Sequence, residues 1–251
     1  MPTVLGIDVG GSGIKGSPVD VARGSLLAER FRIPTPRPAT PGKVIETAAA
    51  VAEHFAWKGS LGCALPAVVQ RGVVRTAANI DPSWIGVDAA LLLQDRTGLA
   101  VRVLNDADAA GIAEMRYGAG RDTTGVVLVL TFGTGIGSAI FVDGALVPNI
   151  ELGHIELHGG PAEHYAAARL VEREAMDLQW WASRVAEYLS YIERVVSPEV
   201  IIFGGGISRR FHEFAPALKT RAELRVATLR NDAGIVGAAV AGYETFGGER
   251  R

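Results

Sequence analysis

Short apolar runs alternate with amphipathic stretches along the chain. "VLGIDV", Val4–Val9, and Gly13–Val19 predict the two strands of a hairpin around a glycine cluster. Val126–Leu130 and Ser138–Val142 predict a second hairpin around another. Residues 23–33 predict one more strand. "PTPRPATPG", residues 34–42, reads as a proline-rich surface connection without helix. "VIETAAAVAEHFAW", Val44–Trp57, carries the apolar spacing of a helix packed on one face. "LGCALPAVV" predicts a buried strand broken at Pro66, and "VRVLNDADAAGIAEMRYGAG" a strand running into a helix, with Asn105 and Asp106 at the junction. Residues 164–196 are helix-compatible almost throughout and stop before Pro198. "VIIFGGGIS" predicts a strand ending in three glycines, and "NDAGIVGAAVAGYETF" a closing helix of small residues. Strands alternating with helices make this an α/β protein.

The two hairpins repeat one another. Offset by 123 positions (127 − 4), Val4, Leu5, Gly10, Val19 and Asp20 fall on Val127, Leu128, Gly133, Val142 and Asp143. Such a repeat predicts two related halves with a cleft between them.

Composition narrows the class. A chain of 251 residues, 48% hydrophobic, can bury a sizeable core. The net charge of −2 gives no sign of a nucleic-acid or anionic-membrane partner. The one cysteine, Cys63, rules out an internal disulfide and any multi-cysteine zinc site, as expected of a reducing cytoplasm. "MPTVLGID" reads as the start of a strand rather than a signal peptide, and no apolar run approaches the roughly 20 residues of a membrane span.

The glycine loops carry the candidate chemistry. Without a Cβ, successive backbone N–H groups can turn toward one ligand and form an anion-binding concavity. Asp8 beside such a loop makes sense if a metal cation lies between carboxylate and phosphate, with Lys15 adding a point charge. Two ordinary hairpins packed in a core are the bland alternative; the matched pair and the third glycine strand end at 204–206 weigh against it. Neither loop has the P-loop spacing, and "GGSGIKG" lacks the dinucleotide spacing followed by a helix. Asp106 has two competing roles: cap of the following helix, or base accepting a hydroxyl proton in phosphoryl transfer. Asp108 is the rival cap. "ELGHIELHGGPAEHYA", 151–166, gathers Glu151, His154, Glu156, His158, Glu163 and His164. It matches no zinc template; a polar loop or the recognition of sugar hydroxyls remain. Trp57, Trp84, Trp180 and Trp181 read as packing, with Trp84 the one to watch as a ligand platform. Arg71, Arg75, Arg209 and Arg210 read as solvated surface or as flanks of an anion path.

Together these segments resemble the ROK family of sugar kinases, within the actin-like, ribonuclease-H-like ATPase fold. "GIDVGGSGIKG" and "LTFGTGIGSAI" resemble its phosphate motifs, "VIIFGGGIS" its adenosine motif, "LNDADAA" its catalytic segment and "ELGH" its sugar loop. The likeness spans nearly the whole chain with the motifs in order. The cysteine-rich zinc motif that most members carry after the "ELGH" histidine is absent, so a metal role is not carried over to His154. "ALPAVV" places Ala67 where many members have Pro-Gly. The short sugar loop and "RTAANIDPSWIGVD" resemble the branch of polyphosphate-dependent glucokinases and glucomannokinases.

The resemblance implies Asp106 as general base toward the sugar 6-hydroxyl, with Asn105, Glu151, His154 and Glu163 binding the hexose. It implies Gly10, Gly11, Ser12, Lys15, Gly133, Thr134 and Gly135 around the phosphates, Gly204 and Gly205 facing an adenosine, and Asp8 supporting Mg²⁺. The expected organisation is two lobes around the cleft: a small lobe, 1–108 with the closing helix 236–251, and a large lobe, 109–235. The expected partners are glucose or mannose, polyphosphate and/or ATP, and a second copy of the chain in a cytoplasmic homodimer. An ATP-dependent kinase for another hexose or an N-acyl-hexosamine is the alternative. Sugar-sensing repressors of the family carry an N-terminal helix-turn-helix; this sequence begins at the first phosphate strand and keeps Asp106, so an enzyme is expected.

Overall fold

The computed structural model describes residues 2–247. The chain divides into two compact units, Met1–Tyr117 with Asp232–Arg251, and Gly118–Asn231.

The first unit opens with the hairpin β1 (Thr3–Val9) and β2 (Ile14–Asp20). The stretch 23–33 is two short strands rather than one, β3 (Ser25–Leu26) and β4 (Phe31–Ile33). Both pair with β2, on either side of Ser17 and Pro18. Pro18 has no N–H to give an edge partner, so the ladder breaks there. Ser17 Oγ instead donates to Ala28 O at 2.9 Å. The helix α1 (Pro41–His54) starts inside the stretch read as non-helical, because Pro41 occupies the first turn, where its fixed φ and missing N–H do no harm. Then come β5 (Leu61–Leu65), the small hairpin β6 (Val69–Gln70) and β7 (Val73–Val74), α2 (Ala89–Thr97), β8 (Val101–Asn105) and α3 (Asp106–Tyr117). The sheet runs β3-β2-β1-β5-β8, with β1, β5 and β8 parallel. Leu5, Ile7 and Val9 of β1 pack with Val44, Ala48 and Val51 of α1 and Leu93 of α2. Trp84 is fully buried there, its indole N–H bonded to Ala39 O, so it packs rather than platforms a ligand.

The second unit repeats this plan. Its strands are β9 (Val126–Phe132), β10 (Ile136–Val142), β11 (Ala145–Val147), the small pair β12 (Glu156–Leu157) and β13 (Gly160–Pro161), β14 (Val200–Gly204) and β15 (Glu223–Val226). The main sheet runs β11-β10-β9-β14-β15, with β9, β14 and β15 parallel. The 123-residue offset holds for β1 and β9 but shrinks by one in the returning strands. Val9 pairs with Ile14 and Phe132 with Ile136, so the second loop is one residue shorter and Asp20 corresponds to Val142, not Asp143.

The long helix-compatible stretch is broken into α4 (Ala162–Ala166), α5 (Arg169–Glu172) and α6 (Leu178–Val195). Asp177 starts α6 by accepting from the Gln179 and Trp180 amides. Trp181, Val185, Tyr188 and Ile192 form its buried stripe against Phe132 and Phe203, whereas Trp180 is 60% exposed. A short helix, α7 (Phe211–Phe214), follows β14.

The chain then returns to the first unit as α8 (Ala233–Phe246). The predicted closing helix 236–251 starts three residues late, and residues 248–251 lie outside those described. The units part at 117/118 and 231/232, whereas the boundaries read from sequence, 108/109 and 235/236, cut through α3 and α8. Those two helices belong together because their backbones touch. A Cβ on Gly237 would lie 1.6 Å from Ala109 O, and one on Gly62 of β5 would lie 1.7 Å from Ala238 O.

Candidate active site

In the first unit the β1–β2 turn is closed by Gly10 N–H donating to Gly13 O at 3.1 Å. That amide is therefore spent inside the loop. Gly11 has open space where a Cβ would be. Two side chains brace the loop from outside: Arg32 Nη2 donates to Ser12 O at 2.6 Å, and Thr35 Oγ1 to Gly10 O at 2.5 Å. Asp8 and Lys15 are cross-strand partners and form a salt bridge of 3.0 Å. Gly234, in the first turn of α8, comes so close to Asp8 that a Cβ there would lie 2.7 Å from its carboxylate oxygen. The Asp8 carboxylate thus sits against the positive end of a 14-residue helix.

The β8–α3 junction separates the two acidic candidates. Asn105 Oδ1 accepts from the Ala107 and Asp108 amides at 2.8 and 3.0 Å, and Asn105 Nδ2 donates to Ala67 O at 3.2 Å. Asn105 therefore takes the cap role for which the sequence offers Asp108, or Asp106 as the alternative to a base. Asp106 is the first helical residue, its Oδ1 accepting from Ala107 N at 2.8 Å. Asp108 is buried on the helix's inner face.

In the second unit the β9–β10 turn closes in the same way, Gly133 N–H donating to Gly135 O at 3.0 Å. Arg169 Nη1 donates to Thr134 O at 2.5 Å, and Arg169 N–H to Gly133 O at 3.0 Å. The "ELGH" turn is tied to β10 by Ser138, whose Oγ donates to Ile150 O and accepts from Leu152 N–H. Gly153 lies against Ile136 O with no room for a Cβ. Glu151 and His154 then face each other at 3.6 Å. Glu163 is buried and accepts from Ile136 N–H at 3.2 Å. Burial pushes the Glu151 carboxyl above the usual carboxylate range, the charge of Glu163 adds to the rise, and His154 opposes it. Gly204 is buried inside the sheet; Gly205, at φ 85°, opens at its end with its backbone against Phe132.

Arg32, Arg169, Ser138 and Gly234 escaped the sequence reading. Arg32 is placed at its turn by a strand register opposite Lys15, which the sequence alone does not show.

The ROK family model matches residues 4–169. The chain belongs to the ROK family. Across 238 residues it is 50% identical to a polyphosphate glucokinase of Mycobacterium tuberculosis, covering 94% of this chain and 90% of that one. Among solved structures it is similar to an inorganic polyphosphate/ATP-glucomannokinase from Arthrobacter sp. strain KM, with TM-score 0.94, 48% identity and coverage of 98% and 100%. A ROK glucokinase from Streptomyces griseus, solved with glucose and AMPPNP, shares the fold at TM-score 0.83 and 23% identity, covering 96% and 99%. The two-sheet architecture is accordingly the actin-like, ribonuclease-H-like ATPase fold of ROK sugar kinases. No helix among the described residues is long and apolar enough to cross a membrane.

Proposed function

We propose that this ROK protein is a phosphotransferase that moves a phosphoryl group from polyphosphate or ATP to the 6-hydroxyl of glucose or mannose. The observation that carries the reading is the pair of glycine turns, each closed on itself and each held by an arginine to a loop carbonyl. The 50% identity to a polyphosphate glucokinase supports the donor and the acceptor.

In this reading Asp106 takes the proton from the hexose 6-hydroxyl as its oxygen bonds to the terminal phosphorus. The bridging P–O bond breaks in line, and the electrons leave on the shortened phosphate chain or ADP. Asn105, Glu151, His154 and Glu163 hold the hexose hydroxyls, so that positioning lowers the barrier. Gly11, Ser12, Lys15, Thr134 and Gly135 face the phosphates; Gly10 and Gly133 shape the turns. A nucleotide donor would lie against Gly205, with Gly204 holding the strand end behind it.

A kinase of this type implies a divalent metal, which we take to be Mg²⁺. Asp8, whose carboxylate is ion-paired with Lys15 at 3.0 Å, would be its one protein carboxylate, suited to an ion that keeps several waters and takes its remaining ligands from phosphate. When bound, the ion neutralises charge developing on the phosphates. We further propose a cytoplasmic homodimer, for which the exposed Trp180 on α6 offers an apolar contact.

The test crosses glucose, mannose and an N-acyl-hexosamine with nucleotide-free polyphosphate and ATP, with and without Mg²⁺. Glucose 6-phosphate from polyphosphate is the expected product. Turnover of glucose confined to ATP would remove polyphosphate as a donor, and ATP-dependent turnover confined to the N-acyl-hexosamine would replace this reading.

A further inference from the structure

The second unit holds a cavity of about 250 Å³ lined by Ser208, Arg209, Phe211, His212, Val226 and Arg230. We infer that it is an anion subsite that takes phosphates of a polyphosphate chain beyond those at the glycine turns. The inference rests on the donor reading above and deepens it.

Position comes first. β9, β14 and β15 run parallel, so their carboxyl ends lie along one sheet edge, where open α/β sheets bind ligands. The Gly133–Gly135 turn follows β9. Gly205 follows β14, and its missing Cβ would lie 2.1 Å from the carbonyl oxygen of Phe132. Ser208 and Arg209 belong to the turn directly after Gly205, and Val226 ends β15. Cavity and phosphate turn are therefore neighbours on one edge within one unit.

Charge comes second. Two arginines and a histidine line the cavity, and no carboxylate does. Among the described residues, Arg209 and Arg230 make no side-chain hydrogen bond or ion pair. Arg210, one residue on, is spent on Glu213 through bonds of 2.9 and 2.8 Å and stays out of the lining. Guanidinium groups suit phosphate oxygens because their N–H groups can bond them in pairs.

Size and chemistry argue against a nucleoside. The volume falls below the roughly 300–1,000 Å³ of drug-sized ligand sites. Phe211 is engaged with Phe203 and Phe214, with ring centroids 5.3 and 5.4 Å away. The hydrogen of Ser208 Oγ is given to Gly205 O. What the cavity offers a ligand is mainly positive charge.

The experiment measures binding of nucleotide-free polyphosphate, short and long, by calorimetry, for the wild type, Arg209→Gln, Arg230→Gln, the double variant and the double lysine variant. Thermal unfolding controls for folding. Long chains should bind the double variant about tenfold weaker or worse, given what charge-assisted hydrogen bonds contribute. Tripolyphosphate should be affected least, and the lysine pair should restore part of the affinity. The gain from long chains should also fade with salt, as the Debye length drops from about 10 Å at 0.1 M to 3 Å at 1 M. Equal binding of long chains by wild type and a folded double variant overturns the inference. So does an equal loss for ATP, which would make the cavity a nucleotide subsite. A wild type that binds long polyphosphate through these arginines yet transfers nothing from it to glucose would sink the donor reading and leave the subsite standing.

Discussion

Arg169 donates from its guanidinium to the carbonyl oxygen of Thr134 at 2.5 Å, and in the other unit Arg32 does the same to Ser12 at 2.6 Å. Each arginine fixes the middle of a glycine turn that has few side chains of its own to hold it. Removing one should loosen the turn without touching the acceptor hydroxyl. Arg169→Ala and Arg32→Ala should each raise the KM for the phosphoryl donor about tenfold, the scale of one lost charge-assisted bond. The KM for glucose should move much less. Steady-state kinetics with each substrate varied in turn decides; a rise confined to glucose would show that the arginines do not serve the phosphate turns.

Asp106→Asn separates proton transfer from helix capping. The cap belongs to Asn105, so the variant should melt with the wild type. General base catalysis is worth about 10²–10⁴-fold, and kcat should drop by that much or more, with the sugar Kd nearly unchanged. Calorimetry with glucose and a turnover assay give both numbers. Wild-type turnover would remove Asp106 from the chemistry.

The proposed role of Glu151 at the hexose predicts sugar binding that is sensitive to acid. Its carboxyl is raised by burial, so it protonates at a higher pH than an ordinary glutamate as the solution is acidified. The neutral group accepts hydroxyl hydrogens less well, so glucose affinity should fall on the acid side of neutral. Stability runs the other way. The folded state binds this proton more readily than the unfolded chain, so stability is fully present below the ordinary carboxylate value and is lost as pH rises through the raised one. Glu151→Gln should flatten both profiles. A sugar-binding profile that keeps its acid limb in the variant would assign that limb to another group.

Gly237→Ala tests the close approach of α8 to α3. The added methyl meets the Ala109 carbonyl at 1.6 Å, well inside contact distance. Overpacking of this kind costs about 3 kcal/mol. Urea titration should show a loss of unfolding free energy of that size, whereas Gly86→Ala, where the space is open although φ is 86°, should cost less.

Much of the fold was legible because its signals are local. The two glycine hairpins announce themselves through apolar runs around clustered glycines, and β8 and α3 through "VRVLND". What escaped depends on pairing between distant positions. Pro18 splits the strand after it only because that strand lies opposite. The one-residue difference between the two turns is invisible until Ile14 and Ile136 are paired with their partners. The helix α2 went unread although Asp88 and Gly98 mark its ends, since "LLLQDRT" lacks a clean apolar stripe. At the candidate site the glycines and carboxylates stand out as residue types. The arginines that hold the turns do not, because an arginine at a surface strand or a helix start looks like any solvated charge.

The return of α8 to the first unit sets the order in which a nascent chain can finish folding. β1 and β5 leave grooves at Gly6 and Gly62 that only Ile235 and Ala238 fill, more than 170 residues later in synthesis. The second unit, contiguous from Gly118 to Asn231, has all its strands before the first has its last helix. Contacts so far apart in sequence form slowly, and the half-made unit meanwhile exposes an apolar sheet face. A free chain truncated after residue 231 should therefore hold a protease-resistant second unit beside a first unit that is still a client for chaperones.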